Sequence, residues 1–183
     1  KEKNLSDEEL MTLVQKQTFR YFWDYGHPVS GLARERSNGN DDIVTIGGSG
    51  FGVMAIIVGA ERGFVTREQA AERMLKIVNF LNDKNTDSYH GIWAHWINGQ
   101  SGETISFSRK DDGADLVESA FMFEGLLAAH QYFNKDNQVE RRIRALINDL
   151  WRQAEWNWFT KGGEDVLYWH WSPNNGWSMN HQI

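Results

Sequence analysis

The chain has 183 residues, 40% of them hydrophobic, which is enough for one domain with a sizeable core. Its formal net charge of −6, with both signs interspersed, leaves no basic stripe to meet a phosphate backbone and argues against nucleic acid as a partner. No apolar run approaches about 18 residues, so no membrane span is expected; the start at Lys1-Glu2-Lys3-Asn4 shows no signal peptide, and the absence of cysteine removes disulfides and thiolate metal sites.

Ser6 caps a first helix, with Glu9 completing a capping box. Leu10, Leu13, Val14, Gln17, Tyr21 and Phe22 mark its expected buried face, and it ends near Asp24-Tyr25-Gly26. A polar segment from His27 to Gly48 follows. Ser49 to Ala60 then reads as a helix apolar all round, expected to be buried on every side. A tight connection at Arg62-Gly63-Phe64-Val65 leads to Thr66, the cap of an amphipathic third helix to about Asn82 with Ala70, Met74, Ile77, Val78 and Leu81 inside. A second long polar segment runs from Asp83 to Asp112. The fourth helix, Gly113 to His130, takes Asp112 as its N-cap, and the fifth, about Gln138 to Trp158, is amphipathic and charge-laced. In the last segment, Lys161 to Ile183, the run Val166 to Trp171 suits a short strand.

The order amphipathic helix, long polar loop, buried helix, short turn recurs at roughly 60 to 70 residues. Long loops therefore gather on one face. That pattern predicts an all-α fold, the N-terminal part of an α/α toroid, because an ordinary bundle does not explain the asymmetry of loop lengths. A next inner helix is expected close to residue 184, so 1–183 reads as a single domain that is one half of a larger barrel; an open helical solenoid is the alternative.

The chain carries nine tryptophans. Trp93, Trp96, Trp169, Trp171 and Trp177 lie among Gly, His, Asn, Ser and Arg, and such rings beside hydrogen-bonding groups suit a sugar; each can instead wall the loop end of the fold. At 3.6 residues per turn, Asp111, Asp115 and Glu118 fall on one stripe near the start of the fourth helix. Like charges so close repel, and cations such as Arg109 and Lys110, the helix dipole, a metal or protonation must offset them.

Several strings resemble the bacterial glycoamylase-like hydrolases, which include inverting endo-β-1,2-glucanases: Phe22-Trp23-Asp24, Gly31 to Arg36, Thr45 to Gly52, Gly91-Ile92-Trp93-Ala94-His95-Trp96, Ser108 to Glu118, and Trp169-His170-Trp171-Ser172-Pro173 with Trp177 and Asn180-His181. The resemblance covers nearly the whole chain. It implies an (α/α)6 toroid of about twice this length, a glucan or oligosaccharide substrate, a periplasmic or secreted, outer-membrane-associated location, and a general acid soon after Asn180-His181, beyond Ile183.

Glycoside hydrolysis with inversion needs a carboxylic acid and a carboxylate roughly 6.5 to 9.5 Å apart. Residues one helical turn apart are about 6 Å apart at Cβ, so the stripe is expected to supply one member of the pair, Asp115 first, then Glu118 and Asp111. Its other members would grip hydroxyls or tune proton affinity. Arg34, Arg109, Trp93, His95, Trp96, Trp169, His170, Trp171, Trp177, Asn180 and His181 are the candidate sugar contacts. The histidines lack carboxylates at fixed spacing on the same element, so no metal or other cofactor is expected. Thr45 to Gly52 lacks the Gly-Lys-Ser/Thr ending of a phosphate loop, which rules out that mode of nucleotide binding. Two other readings compete: a non-catalytic glycan-binding or scaffold protein, and a Mg²⁺-dependent terpene synthase built on Asp111-Asp112-Gly113-Ala114-Asp115.

Overall fold

The computed structural model describes residues 4–183. Its five α-helices are α1 (Asp7–Asp24), α2 (Ile46–Glu61), α3 (Arg67–Leu81), α4 (Leu116–Tyr132) and α5 (Gln138–Gln153). Local chemistry starts them: the Ser6 hydroxyl accepts from Glu9 N while the Glu9 carboxylate accepts from Ser6 N at 2.8 Å, and Thr66 with Gln69 repeats the device on α3.

The main helical contact is between α2 and α4, which form an inner layer; α1 lies against α2, and α3 against α5, as an outer layer. This is the inner and outer alternation of an α/α toroid over two and a half hairpins, as the repeat predicts. Small residues let the inner pair meet: a Cβ on Gly125 would stand 2.5 Å from the Gly50 carbonyl oxygen, and one on Gly50 would overlap that of Phe121. Between the layers lie Val53 and Ile56 of α2, Met74, Ile77 and Val78 of α3, Met122, Phe123 and Leu126 of α4, and Ile143 and Ile147 of α5, all buried.

The boundaries and faces differ from expectation in instructive places. The helix expected from Ser49 begins at Ile46, because its first turn rests on other segments: Ile46 N donates to His95 O at 3.1 Å and Gly47 N to Glu118 Oε2 at 2.9 Å. Nor is α2 buried on every side, since Phe51, Met54 and Val58 are exposed. On α1 only Phe19 is fully buried; Leu10 and Val14, expected inside, are exposed, and Phe22 is half-buried. Asp115, not Asp112, caps α4, which starts at Leu116. The fifth helix stops at Gln153, and Trp156–Thr160 forms a separate 3-10 turn.

Short strands decorate the long loops. β1 (Ile43–Thr45), β2 (Trp96–Asn98) and β3 (Thr104–Ile105) form an antiparallel sheet with Val44 opposite Ile97, and β4 (Ala114–Asp115) pairs with β5 (His170–Trp171), Asp115 opposite His170. β1 runs into the N-terminus of α2 and β4 into that of α4. The loops are thereby anchored at the N-terminal ends of the two inner helices, where Leu116 N also donates to Trp169 O at 2.8 Å.

Candidate active site

The first turn of α4 organises the site. Asp115 is fully buried, and its Oδ1 accepts from Glu118 N at 2.9 Å, the N-cap bond, and from Trp169 Nε1 at 2.8 Å. Its Oδ2 accepts from His95 Nδ1 at 3.1 Å and lies 3.7 Å from His170 Nε2. Glu118, one turn on, is half-buried and reaches across to the N-terminus of α2, where Gly47 N donates to it. Asp111 is not on the helix at all. It sits in the turn that precedes β4, buried, with Oδ2 3.4 Å from His170 Nε2 and Oδ1 without a partner among the described residues. The expected helical stripe is therefore formed partly by a loop, yet the three acids still converge.

What offsets their repulsion is imidazole. Arg109 is exposed and, among the described residues, makes no ion pair with the cluster; its backbone oxygen accepts from Asn175. Burial would lower the proton affinity of His95, but the bond to Asp115 and the charges of Glu118, Asp115 and Asp111 outweigh it and hold the ring above its ordinary value. Burial, and then the Asp115 charge, pushes Asp111 up to about 6. Burial also raises Glu118, against the opposing pull of His95 and the Gly47 N–H. His170 is lowered, chiefly by burial. Two carboxyls with raised proton affinity beside a protonatable ring form a group suited to proton transfer near neutral pH.

The aromatic candidates divide into groups. Trp96 is half-buried and stands edge-on to His95 at 5.8 Å, with Phe107 against both rings at 4.8 and 4.3 Å. Phe107, exposed and unforeseen, completes this rim; its only sequence signal was its place just before the acidic run. Trp169 stacks on His170 at 5.2 Å, and His181 stands edge-on to His170 at 5.7 Å. Trp93, however, is 1% exposed and packs on Phe123 at 5.1 Å, so it is a core residue and cannot stack on a sugar. Trp171 points away from the acids because side chains alternate along β5: His170 meets Asp111 and Asp115, while Trp171 meets Tyr89, His90 and Trp158. Trp177 follows it, against Trp158, Phe159 and Tyr168.

The polar candidates outside the cluster are similarly sorted. Arg34 donates to Asp41 O at 3.0 Å, and Asn180 accepts from Lys161 Nζ at 2.9 Å, so neither side chain meets the acids. Glu35, which the sequence reading passed over as a contact, is close enough for His95 to lower its proton affinity, though its pairing with Arg36 does so more strongly.

His95, Asp111 and Asp115 each offer a ligand atom within 4.8 Å of the others, a grouping able to hold a cation that spacing along the chain did not reveal. The Asp115 oxygens are already surrounded by the N–H groups of Glu118, Trp169 and His95, so a cation would have to displace donors. The diphosphate-binding arrangement fares worse. Asp112 turns to Asn174, which donates to it at 2.7 Å, away from Asp111 and Asp115.

An inner and outer helical layering with buried carboxylates and imidazoles at the N-terminal ends of the inner helices places this chain among α/α-toroid folds. No established family profile matches it. The chain is 48% identical over 181 residues to the exo β-1,2-glucooligosaccharide sophorohydrolase of Parabacteroides distasonis, covering 98% of this chain and 25% of that protein. It superposes with a TM-score of 0.97 on a Bacteroides uniformis protein provisionally designated a glucoamylase, at 81% identity over 100% of this chain and 44% of the other. With the endo-β-1,2-glucanase of Chitinophaga pinensis, solved with sophorotriose and glucose, the TM-score is 0.92 at 47% identity, covering 98% of this chain and 44% of that one. Over its whole length the chain is thus homologous to part of these glucoamylase-like and β-1,2-glucanase proteins, and it spans less than half the length of each.

Proposed function

We propose that this chain is the carboxylate-bearing part of a glycoside hydrolase that cleaves a β-glucan, β-1,2-linked, with inversion. The observation that carries the reading is the convergence of Asp111, Asp115 and Glu118 around His95, with Asp111 at about 6 and Glu118 also raised. Inverting hydrolysis asks for one group that activates water and one that protonates the leaving oxygen. The cluster supplies the first. The linkage is supported by the names of the sophorohydrolase and the endo-glucanase that the chain resembles.

The second group comes from further polypeptide that completes the ring. Exposed apolar side chains support this: Leu10, Met11 and Val14 on α1, Phe51, Met54 and Val58 on α2, and Phe121 and Leu127 on α4. Faces of that kind are normally covered. A polymeric glucan substrate fits a periplasmic or secreted location.

The deciding experiment incubates the full-length protein with β-1,2-, β-1,3- and α-1,4-glucans, with and without EDTA, and follows the products by chromatography and anomeric NMR. Chelator-insensitive release of inverted oligosaccharides from the β-1,2-glucan is expected. Cleavage of no glucan, or products of retained configuration, would overturn the reading.

A further inference from the structure

The three acids are not equivalent, and their surroundings sort them into roles. Asp115 has no solvent exposure and both oxygens are occupied by donors. It cannot reach a sugar or a water without giving up a helix cap and two side-chain bonds. Asp111 Oδ1 is shut away from solvent. Glu118 is built differently. Its Oε2 is fixed by Gly47 N at 2.9 Å, on the N-terminus of the 16-residue α2, whose own N-cap Thr45 makes no side-chain cap bond. Glu118 therefore takes the capping place on a neighbouring helix, where the dipole favours an anion. Its other oxygen is not closed off from solvent, and the Thr45 hydroxyl at the same helix end helps to hold the carboxylate. A carboxylate with one oxygen anchored on a backbone N–H and one open to solvent has the geometry of a group that receives a proton.

His95 is held in turn. Asp115 binds its Nδ1, and Phe107 and Trp96 brace the ring. Resting on the hydrolase reading above, we propose that Glu118 is the catalytic residue that takes the proton from the attacking water, and that Asp115 is a positioning residue that never touches substrate and acts by fixing His95 in the field of Glu118. In the step itself, the water oxygen bonds to the anomeric carbon as its proton passes to Glu118. The glycosidic C–O bond breaks with its electron pair on the leaving oxygen, which takes a proton from a carboxylic acid in the remainder of the protein.

The charges around Glu118 and His95 come from several elements: Glu35, paired with Arg36, from the segment before β1, Asp111 from the turn before β4, Asp115 from β4, His170 from β5 and His181 from the last segment. Among them His95 is the one that pulls Glu118 down, against burial and against Asp115. Removing the His95 charge should therefore raise the proton affinity of Glu118.

The test uses three variants of the full-length protein. Glu118→Gln should lose about 10³-fold in kcat with oligosaccharide binding retained, in the range for removal of a general base. His95→Gln should move the acid limb of the kcat/KM profile to higher pH with little change in KM. Asp115→Asn, which keeps the cap because asparagine also caps helices well, should instead lower the proton affinity of His95, which the bond and charge of Asp115 hold up. NMR titrations of the Glu118 carboxylate in wild type and His95→Gln, and of the His95 ring in wild type and Asp115→Asn, read the coupling without turnover. Glu118 should move upward in His95→Gln, and His95 should move downward in Asp115→Asn. An unmoved Glu118 titration in His95→Gln, or an unmoved His95 titration in Asp115→Asn, overturns the positioning role, and a Glu118→Gln protein keeping more than about a tenth of wild-type kcat overturns the catalytic one. Failure of the wild-type protein to cleave any glucan would instead strike the hydrolase reading, leaving the titration to decide the coupling.

Discussion

Trp169 donates its indole N–H to Asp115 Oδ1 at 2.8 Å across 54 residues of sequence. That bond ties the last long loop to the first turn of α4 and fills the acceptor that would otherwise be open above the helix cap. Trp169→Phe keeps the ring and deletes the donor. The full-length protein should lose about 1–3 kcal/mol in denaturant unfolding, the usual cost of stranding a buried polar partner. No loss would mean that the bond does not hold the loop.

Gly125 packs so close to Gly50 that a methyl group would press on its carbonyl oxygen, at 2.5 Å. Gly125→Ala should cost about 1–3 kcal/mol, in spite of the better helix propensity of alanine, because the α2–α4 pair must separate. Thermal melts of the variant settle the sign: propensity alone would raise the midpoint, overpacking lowers it.

Arg67 holds Glu140 through two bonds, Nε to Oε1 at 3.0 Å and Nη2 to Oε2 at 2.9 Å, between α3 and the start of α5. Burial would raise Glu140, but Arg67, Lys135 N and Asn137 bring it down to about 2. The folded value is below the ordinary 4.5. Its stabilisation is therefore present in full above that pH and fades as pH falls toward 2. Glu140→Gln should flatten the acid side of the stability profile, while Arg67→Ala, which strands a buried carboxylate, should cost about 3–5 kcal/mol at pH 7.

Asp111 has the opposite sign. Its folded value, about 6, stands above the ordinary 3.8, so the folded protein binds the extra proton and stability falls as pH rises between the two. Asp111→Asn should therefore be more stable than wild type at pH 7, by on the order of 1–3 kcal/mol, and no more stable at pH 3. Urea midpoints at the two pH values check this, and an equal difference at both would exclude titration as the cause.

Much of the architecture was legible locally. The capping boxes Ser6–Glu9 and Thr66–Gln69, and the apolar stripe Ala70, Met74, Ile77, Val78 and Leu81, predict α1 and α3 closely because the signals that start a helix and choose its face lie within a turn or two. The loop-length asymmetry likewise predicts which helices are inner. Where a helix start depends on distant groups, the reading missed: Ile46 and Gly47 begin α2 only because His95 and Glu118 receive their N–H groups.

The candidate site shows the same division. The sequence by itself determined that Asp115 and Glu118, one helical turn apart, stand together with Asp111 close by in the chain, whereas the turn before β4 is what swings Asp111 in toward them. Only the tertiary structure decided their characters, burying Asp115 under Trp169 and His95 and shutting off Asp111 while leaving Glu118 one open oxygen. It also sent Trp93 into the core and Trp171 to the far side of β5. Exposure and proton affinity depend on what packs from remote segments, and no spacing within one segment encodes that neighbour.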